Sequence, residues 1–312
     1  MYASLRKRFR HRDFLSIADF TGEEIMGLLS FAAELKEAKK RGETHTFCAG
    51  KSLAMIFQKP STRTRVSFEV AMFDLGGYAL YLNAQDLQLG RGESIADTGR
   101  VLSRYVDGCV IRTSRQEEVE ELAEAATIPV INGLTSWEHP CQILADFLTI
   151  LQSKGQLAGL KLAYVGDGNN ICHSLLLGCP RVGMSIYVAT PPQYAPHPTV
   201  VARAQEAAQG TEVVVTEDPV QAVKGADVVV TDVWVSMGQE EEAETRKKVF
   251  LPYQVNGELV SHAKPDYIFL HCLPAHRGEE VTAEIIDGPH SLVWEEAENR
   301  LHVQKALLAL LL

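Results

Sequence analysis

Along the chain, short apolar runs alternate with longer stretches in which apolar residues recur every three or four positions. A strand buried on both faces reads as a continuous apolar run, whereas a covering helix needs only one apolar stripe, so this rhythm predicts parallel strands joined by crossover helices. Strands are expected at 51–57, 78–82, 108–112 and 129–132, with helices following from about Thr64, Glu93, Gln116 and Pro140. Ahead of them, Thr21-Gly22-Glu23-Glu24 is a capping box and opens a helix to about Lys40. The helix that begins near His139 stays apolar through Leu151 and ends in Ser153-Lys154-Gly155-Gln156, where the alternation restarts. Five more strands are expected at 160–165, 185–189, 212–215, 227–231 and 267–270. The fold class is therefore α/β, with two doubly wound parallel-sheet domains at residues 1–150 and 151–294. A C-terminal helix at 295–312 packs back across the chain; the pattern does not choose its resting place, and the first domain is the expected one.

Two charged segments need separate readings. Arg6, Lys7, Arg8, Arg10 and Arg12 crowd the start with no long apolar run behind them, which reads as a solvated basic arm and not a secretory signal. The run Glu240-Glu241-Glu242 with Glu244, then Arg246-Lys247-Lys248, places acids first and bases last and reads as a solvated helix aligned with its own dipole.

Composition removes whole classes of function. The 312 residues are 46% hydrophobic and 22% charged, as in a globular protein, and no apolar run approaches the ~20 residues that a membrane span needs. Forty acidic against 30 basic side chains leave a formal charge of -10, which repels a phosphate backbone, so no nucleic-acid partner is expected. Six cysteines (Cys48, Cys109, Cys141, Cys172, Cys179, Cys272) show no C-x-x-C pairing, which argues against a zinc site and a disulfide scaffold. Most should be small buried hydrophobes in a reducing, cytoplasmic compartment.

In open α/β sheets, ligands gather beyond the carboxyl ends of the strands, and those positions are rich in polar groups here. After the first strand, Ser61-Thr62-Arg63-Thr64-Arg65 enters a helix whose unpaired N–H groups and positive dipole end suit a phosphate, with two arginines to add charge-assisted bonds; a capped helix with surface arginines is the plainer alternative. The glycine and lysine spacing of a P-loop is absent. Arg112 ends the third strand, and His139-Pro140-Cys141-Gln142 heads the helix after the fourth, where a histidine is either a polar cap or a donor to a carbonyl oxygen. In the second half, Gly166-Asp167-Gly168-Asn169-Asn170 fails the dinucleotide fingerprint at Ile171, which counts against an oxidoreductase. Asp232, followed by Ser236-Met237-Gly238, sets a carboxylate and a hydroxyl at a strand end, suited to an ammonium group. His271-Cys272-Leu273-Pro274 places a thiol at another, where an inert core cysteine is the usual reading.

Taken in order, Ser61-Thr62-Arg63-Thr64, His139-Pro140-Cys141-Gln142, Asp232 with Ser236-Met237-Gly238, and His271-Cys272-Leu273-Pro274 resemble the signature of the ornithine carbamoyltransferases, within the aspartate/ornithine carbamoyltransferase family, over nearly the whole chain. The resemblance implies a cofactor-free enzyme, with no resident metal, that moves the carbamoyl group of carbamoyl phosphate to the side-chain amine of L-ornithine and assembles as a homotrimer or a multiple of trimers. It assigns carbamoyl phosphate to Ser61, Thr62, Arg63, Thr64, Gln88, Arg112, His139, Gln142, Cys272, Leu273 and Arg300. Ornithine goes to Asn170, Asp232, Ser236 and Met237, and catalysis to Arg112, His139, Cys272 and Asp232. The alternatives left by the residues are a carbamoyltransferase for another amine, such as aspartate, putrescine or an acetylated ornithine, and a non-catalytic amino-acid or carbamoyl phosphate sensor on the same fold.

Overall fold

The computed structural model describes residues 2–236 and 238–312, so Met237 of the predicted site lies outside the described residues. The chain divides into two compact units, one of Met1–Leu148 with Glu298–Leu312 and the other of Thr149–Ala297. Each is built on a wholly parallel sheet.

The first unit contains β1 (Ser52–Phe57), β2 (Tyr78–Asn83), β3 (Gly108–Arg112) and β4 (Val130–Leu134), ordered β2-β1-β3-β4. Five of the six β1 residues and all of β3 are buried, as the uninterrupted apolar runs require. The strand order reverses between β1 and β3, which makes their carboxyl ends the switch point of this sheet. Register also slips there, between Ile111 and Arg112, a bulge that re-aims the side chain at the strand end.

The second unit contains β5 (Lys161–Val165), β6 (Ser185–Ala189), β7 (Val213–Thr216), β8 (Val228–Thr231) and β9 (Ile268–His271), ordered β7-β6-β5-β8-β9. Its switch point falls between β5 and β8. The turn after β5 is fixed by a glycine with no room to spare: a Cβ on Gly168 would lie 2.3 Å from the Pro196 nitrogen, and the Gly168 N–H donates to the Tyr194 carbonyl at 2.8 Å.

The N-terminal segment departs from the solvated arm expected of it. Tyr2–Phe9 is a helix whose Leu5 and Phe9 are buried, and Arg8 and Arg12 pair with Glu23 and Glu24 of the capped helix Gly22–Lys40 at 2.7 and 2.8 Å. Beyond it, Phe14 bridges in parallel to Ile131 and covers the free edge of β4. The basic residues mask an amphipathic repeat, because Leu5 and Phe9 are its only strongly apolar members after Tyr2.

The helix Val293–Leu311 carries an unusual load of buried polar groups for its apolar C-terminal sequence. In the first unit Asn299, Arg300, His302, Gln304 and Lys305 are all buried alongside Leu307, Leu308 and Leu310. Lys36 donates to Asn299 Oδ1 at 2.7 Å and pairs with Glu298 at 3.1 Å, which fixes the rotation of this helix against Gly22–Lys40. Among the described residues no helix is long and apolar enough to cross a membrane.

Candidate active site

At the first switch point Ser61 caps the helix Thr62–Asp74, its hydroxyl accepting from the Thr64 N–H at 3.2 Å. Thr64 is 1% exposed, Arg63 is half-buried and Thr62 is exposed. Arg65 does not join them, contrary to the expectation of two arginines at the anion. Its guanidinium pairs with Glu69 at 3.0 Å and stacks 3.7 Å from the Tyr81 ring centre. Residues two apart on a helix face opposite ways, so Arg63 and Arg65 do not share a target.

Arg112 at the end of β3 and His139 at the head of the helix Pro140–Lys154 are both 5% exposed. The loop before His139 is built by Thr135, whose hydroxyl accepts from the N–H groups of Trp137 at 3.1 Å and Glu138 at 3.0 Å. Arg300 reaches in from the C-terminal helix, donating to Gln142 Oε1 at 2.6 Å and to Thr64 Oγ1 at 3.1 Å. Gln142 in turn donates to the buried Asp146 at 2.9 Å, one helical turn on, which fixes its amide orientation. With its amide turned oxygen-first, Gln304 accepts from Arg300 Nη2 and Nε at 3.1 and 3.2 Å. Burial, reinforced by the charges of Arg300, Arg112 and Arg63, holds the His139 imidazole well below its ordinary pKa and so neutral. Three guanidinium groups around a neutral imidazole make a place for a polyanion with a hydrogen-bond donor beside it. Gln88 is exposed on the short 3-10 turn after β2.

At the second switch point Asp232, 5% exposed, follows β8. Its Oδ1 accepts from the Val233 N–H at 2.8 Å and from the Cys272 thiol at 3.1 Å, and its Oδ2 accepts from Asn169 Nδ2 at 2.7 Å. Asn170 begins the helix Asn170–Gly178, and the half-buried Ser236 donates its N–H to Gln239 Oε1 at 3.0 Å. Cys272 is half-buried while the other five cysteines are buried, and burial pushes the thiols of Cys48 to about 11 and of Cys109 and Cys141 to about 12. Leu273 has φ +58, a rare conformation for a branched residue, and its N–H donates to His271 Nδ1 at 2.9 Å. That bond leaves the imidazole proton on Nε2, which faces Glu280 at 3.1 Å.

Asp232, His271 and Cys272 present an oxygen, a nitrogen and a sulfur within 4.8 Å of one another. Both ring nitrogens of His271 are engaged by Glu280 and the Leu273 N–H, and the Cys272 thiol is bonded to Asp232, so the three do not form an open coordination shell.

The charged run at 240–248 is not wholly solvated, as its pattern suggested. Arg246 in the helix Ala243–Phe250 is 2% exposed, pairs with Asp167 and donates to the Trp234 carbonyl, with the Tyr194 ring centre at 4.3 Å. Burial raises the Asp167 carboxyl to about 6 against the opposing pull of Arg246. The sequence reading gave no part in the site to Asn169, Asp146, Gln304 or Arg246, the last of which it placed on a solvated helix. Asp146 alone carried a local signal, its spacing of four from Gln142 on a helix.

Two family models divide the chain as the two sheets do. The carbamoyl-P binding domain of aspartate/ornithine carbamoyltransferase matches residues 12–152, and the Asp/Orn binding domain matches residues 158–311. The chain belongs to the aspartate/ornithine carbamoyltransferase family. Within it, the chain is similar to ornithine carbamoyltransferases. That of Carboxydothermus hydrogenoformans is 65% identical over 97% of this chain and 98% of its own, and that of Bacillus subtilis is 59% identical over 96% and 94%. The solved ornithine carbamoyltransferase of Pyrococcus furiosus superposes with a TM-score of 0.94 at 59% identity, covering 97% of each chain.

Proposed function

We propose that this protein transfers the carbamoyl group of carbamoyl phosphate to the side-chain amine of L-ornithine, giving L-citrulline and phosphate. The observation that carries this reading is the pairing of an arginine-lined anion site in a carbamoyl-P binding domain with a carboxylate-and-thiol site in an Asp/Orn binding domain, in a chain 65% identical to an ornithine carbamoyltransferase. Ser61, Thr62, Arg63, Thr64 and Arg112 hold the phosphate, Arg300 adds charge, and Gln142 meets the carbamoyl amide, with Gln88, Cys272 and Leu273 completing the donor's contacts. The developing oxyanion is met by His139, Arg112 and Thr64. Neutral His139 donates a hydrogen bond there and does not surrender a proton to the site, an electrostatic role commonly worth ~3 kcal/mol per donor.

Asn170 takes the ornithine α-carboxylate, and Asp232, Ser236 and Met237 take the α-amino end. The attacking amine must be neutral, yet alkyl amines ionise near pH ~10, so a proton must leave it. Cys272, whose thiol donates to Asp232 Oδ1 at 3.1 Å, is the acceptor in this reading, handing its own proton to the Asp232 carboxylate as it takes one from the amine. The C–N bond forms, the C–O bond to phosphate breaks, and phosphate departs with the electron pair and takes up the second proton of the attacking nitrogen. Carbamoyl phosphate is already an activated acyl donor, so the reaction needs no organic cofactor.

The protein works in the cytoplasm as a homotrimer or a multiple of trimers. Six free thiols suit a reducing compartment, and an outward apolar face on the first unit, with Phe73 79% and Tyr78 66% exposed, suits self-association.

Product identification with ornithine, putrescine, N-acetylornithine and aspartate offered separately tests the reading. Citrulline from ornithine, with the other three inert, is the expected result. Turnover with another acceptor overturns the acceptor assignment, and carbamoyl phosphate binding without turnover on any of the four points to a sensor.

A further inference from the structure

Asn169 has no part in the bond-making steps above, yet both ends of its side chain are spoken for. Oδ1 caps the helix Asn170–Gly178, accepting from the N–H of Ile171 at 3.0 Å and of Cys172 at 3.2 Å, with the buried Tyr164 hydroxyl also donating at 3.3 Å. Three donors on one atom settle which end of the amide is oxygen, so the nitrogen faces the other way. There it meets Asp232 Oδ2 at 2.7 Å.

The consequence lies in how an aspartate at a strand end is held. A carboxylate is free to turn about two torsions unless its two oxygens are gripped by separate donors. Here the Val233 N–H and the Cys272 thiol take Oδ1, and among the described residues only Asn169 takes Oδ2. Tyr164 and Asp167 also stand near this carboxylate; Tyr164 donates to Asn169, and Asp167 is paired with Arg246, which also donates to the Trp234 carbonyl. The anchor itself cannot drift, since its oxygen is tied to the first turn of a buried helix.

We propose that Asn169 is a positioning residue for the acceptor site: capping a helix with one end and gripping Asp232 with the other, it holds the carboxylate in the rotamer that serves Cys272 and the incoming amine. The proposal rests on the ornithine reading of the second unit. Residues that orient a reacting group in this way commonly carry a 10–100-fold effect, because a displacement of ~1 Å forfeits much of the benefit of a fixed attack geometry.

Serine separates the two jobs of Asn169. It caps a helix about as well as asparagine but is too short to reach Asp232 while doing so. Asn169→Ser should therefore lower kcat/KM for ornithine about 10–100-fold, leave KM for carbamoyl phosphate within about twofold, and melt close to the wild type. Asn169→Asp, which keeps cap and reach but sets an oxygen against the carboxylate, should lose at least as much and provides a second reading if the serine variant folds poorly. Asn169→Ala should match the serine variant in kinetics and fall below it in thermal midpoint. Wild-type kcat/KM in Asn169→Ser, or an equal loss toward both substrates, overturns the proposal. A wild-type protein inert toward ornithine overturns the substrate assignment and this proposal with it.

Discussion

His139 is surrounded by the charges of Arg63, Arg112 and Arg300 in a buried position, and no protonated imidazole survives there at neutral pH. In the proposed reaction its value is therefore as a fixed donor. His139→Gln should cut kcat about a hundredfold, the ~3 kcal/mol of one oxyanion donor, and change carbamoyl phosphate affinity far less. Because the group is already neutral, the acid limb of the pH profile should persist in the variant; disappearance of that limb would contradict the assignment. Arg63→Ala and Arg65→Ala form a matched pair. The first should abolish carbamoyl phosphate binding by calorimetry, whereas the second, already spent on Glu69 and Tyr81, should leave it nearly intact. Equal effects would mean that the anion lies elsewhere. The residues assigned to ligands in this reading were picked out as motifs at strand ends, since the rule that looks for them there is topological. The supporting residues were not. Arg246 reads as one charge among seven, and only the packing of Tyr194, Phe250 and Asp167 about it shows that it is buried.

At the scale of elements, the nine strands were legible within a residue or two: the inner ones because buried parallel strands demand unbroken apolar runs, the edge strands β2 and β7, with no buried residue, by their short apolar runs alone. The Thr21 capping box was legible because its chemistry is local. The helix Tyr2–Phe9 was not, since Leu5 and Phe9 around three consecutive bases resemble an arm until the surface that buries them is known. The C-terminal helix is the clearest case of tertiary context, with His302 2% exposed beside Lys36 and Lys305. Burial outweighs the Glu298 carboxylate, 3.4 Å from Nε2, and depresses the imidazole to about 4. Between that value and the unfolded 6.5, the unfolded chain binds a proton that the folded chain refuses. Stability is therefore fully present above pH 6.5 and declines as pH falls toward 4, by about 2 kcal/mol at pH 5. His302→Gln should flatten that decline in thermal melts taken from pH 7.5 to 5. A wild-type curve no steeper than that of the variant would show that the proton enters without cost.

For the whole molecule the question is what covers the outer face of the first unit. Val66 and Phe73, seven residues apart on one side of the helix Thr62–Asp74, are 50% and 79% exposed, and Tyr78 at the start of the edge strand β2 is 66% exposed. A chain with a net charge of -10 resists indiscriminate association, so an apolar face that persists on it calls for a complementary partner. An edge strand with open N–H and C=O groups beside that face adds directional bonding to apolar burial. Copies of the same chain satisfy both requirements in any closed assembly, since closure leaves no such face exposed, and in the reading proposed here that assembly is a trimer or a multiple of one. Sedimentation should then find a species of three times the 34.4 kDa chain, or a multiple of it. Phe73→Glu should drive it to lower mass, because burying an unpaired carboxylate in an apolar contact costs several kcal/mol. Carbamoyl phosphate binding need not vanish with the assembly, as the arginines that hold the anion in this reading belong to the same chain. A wild-type protein that sediments as a monomer at enzyme-assay concentration, or a Phe73→Glu variant of unchanged mass, would place the subunit contact on another face.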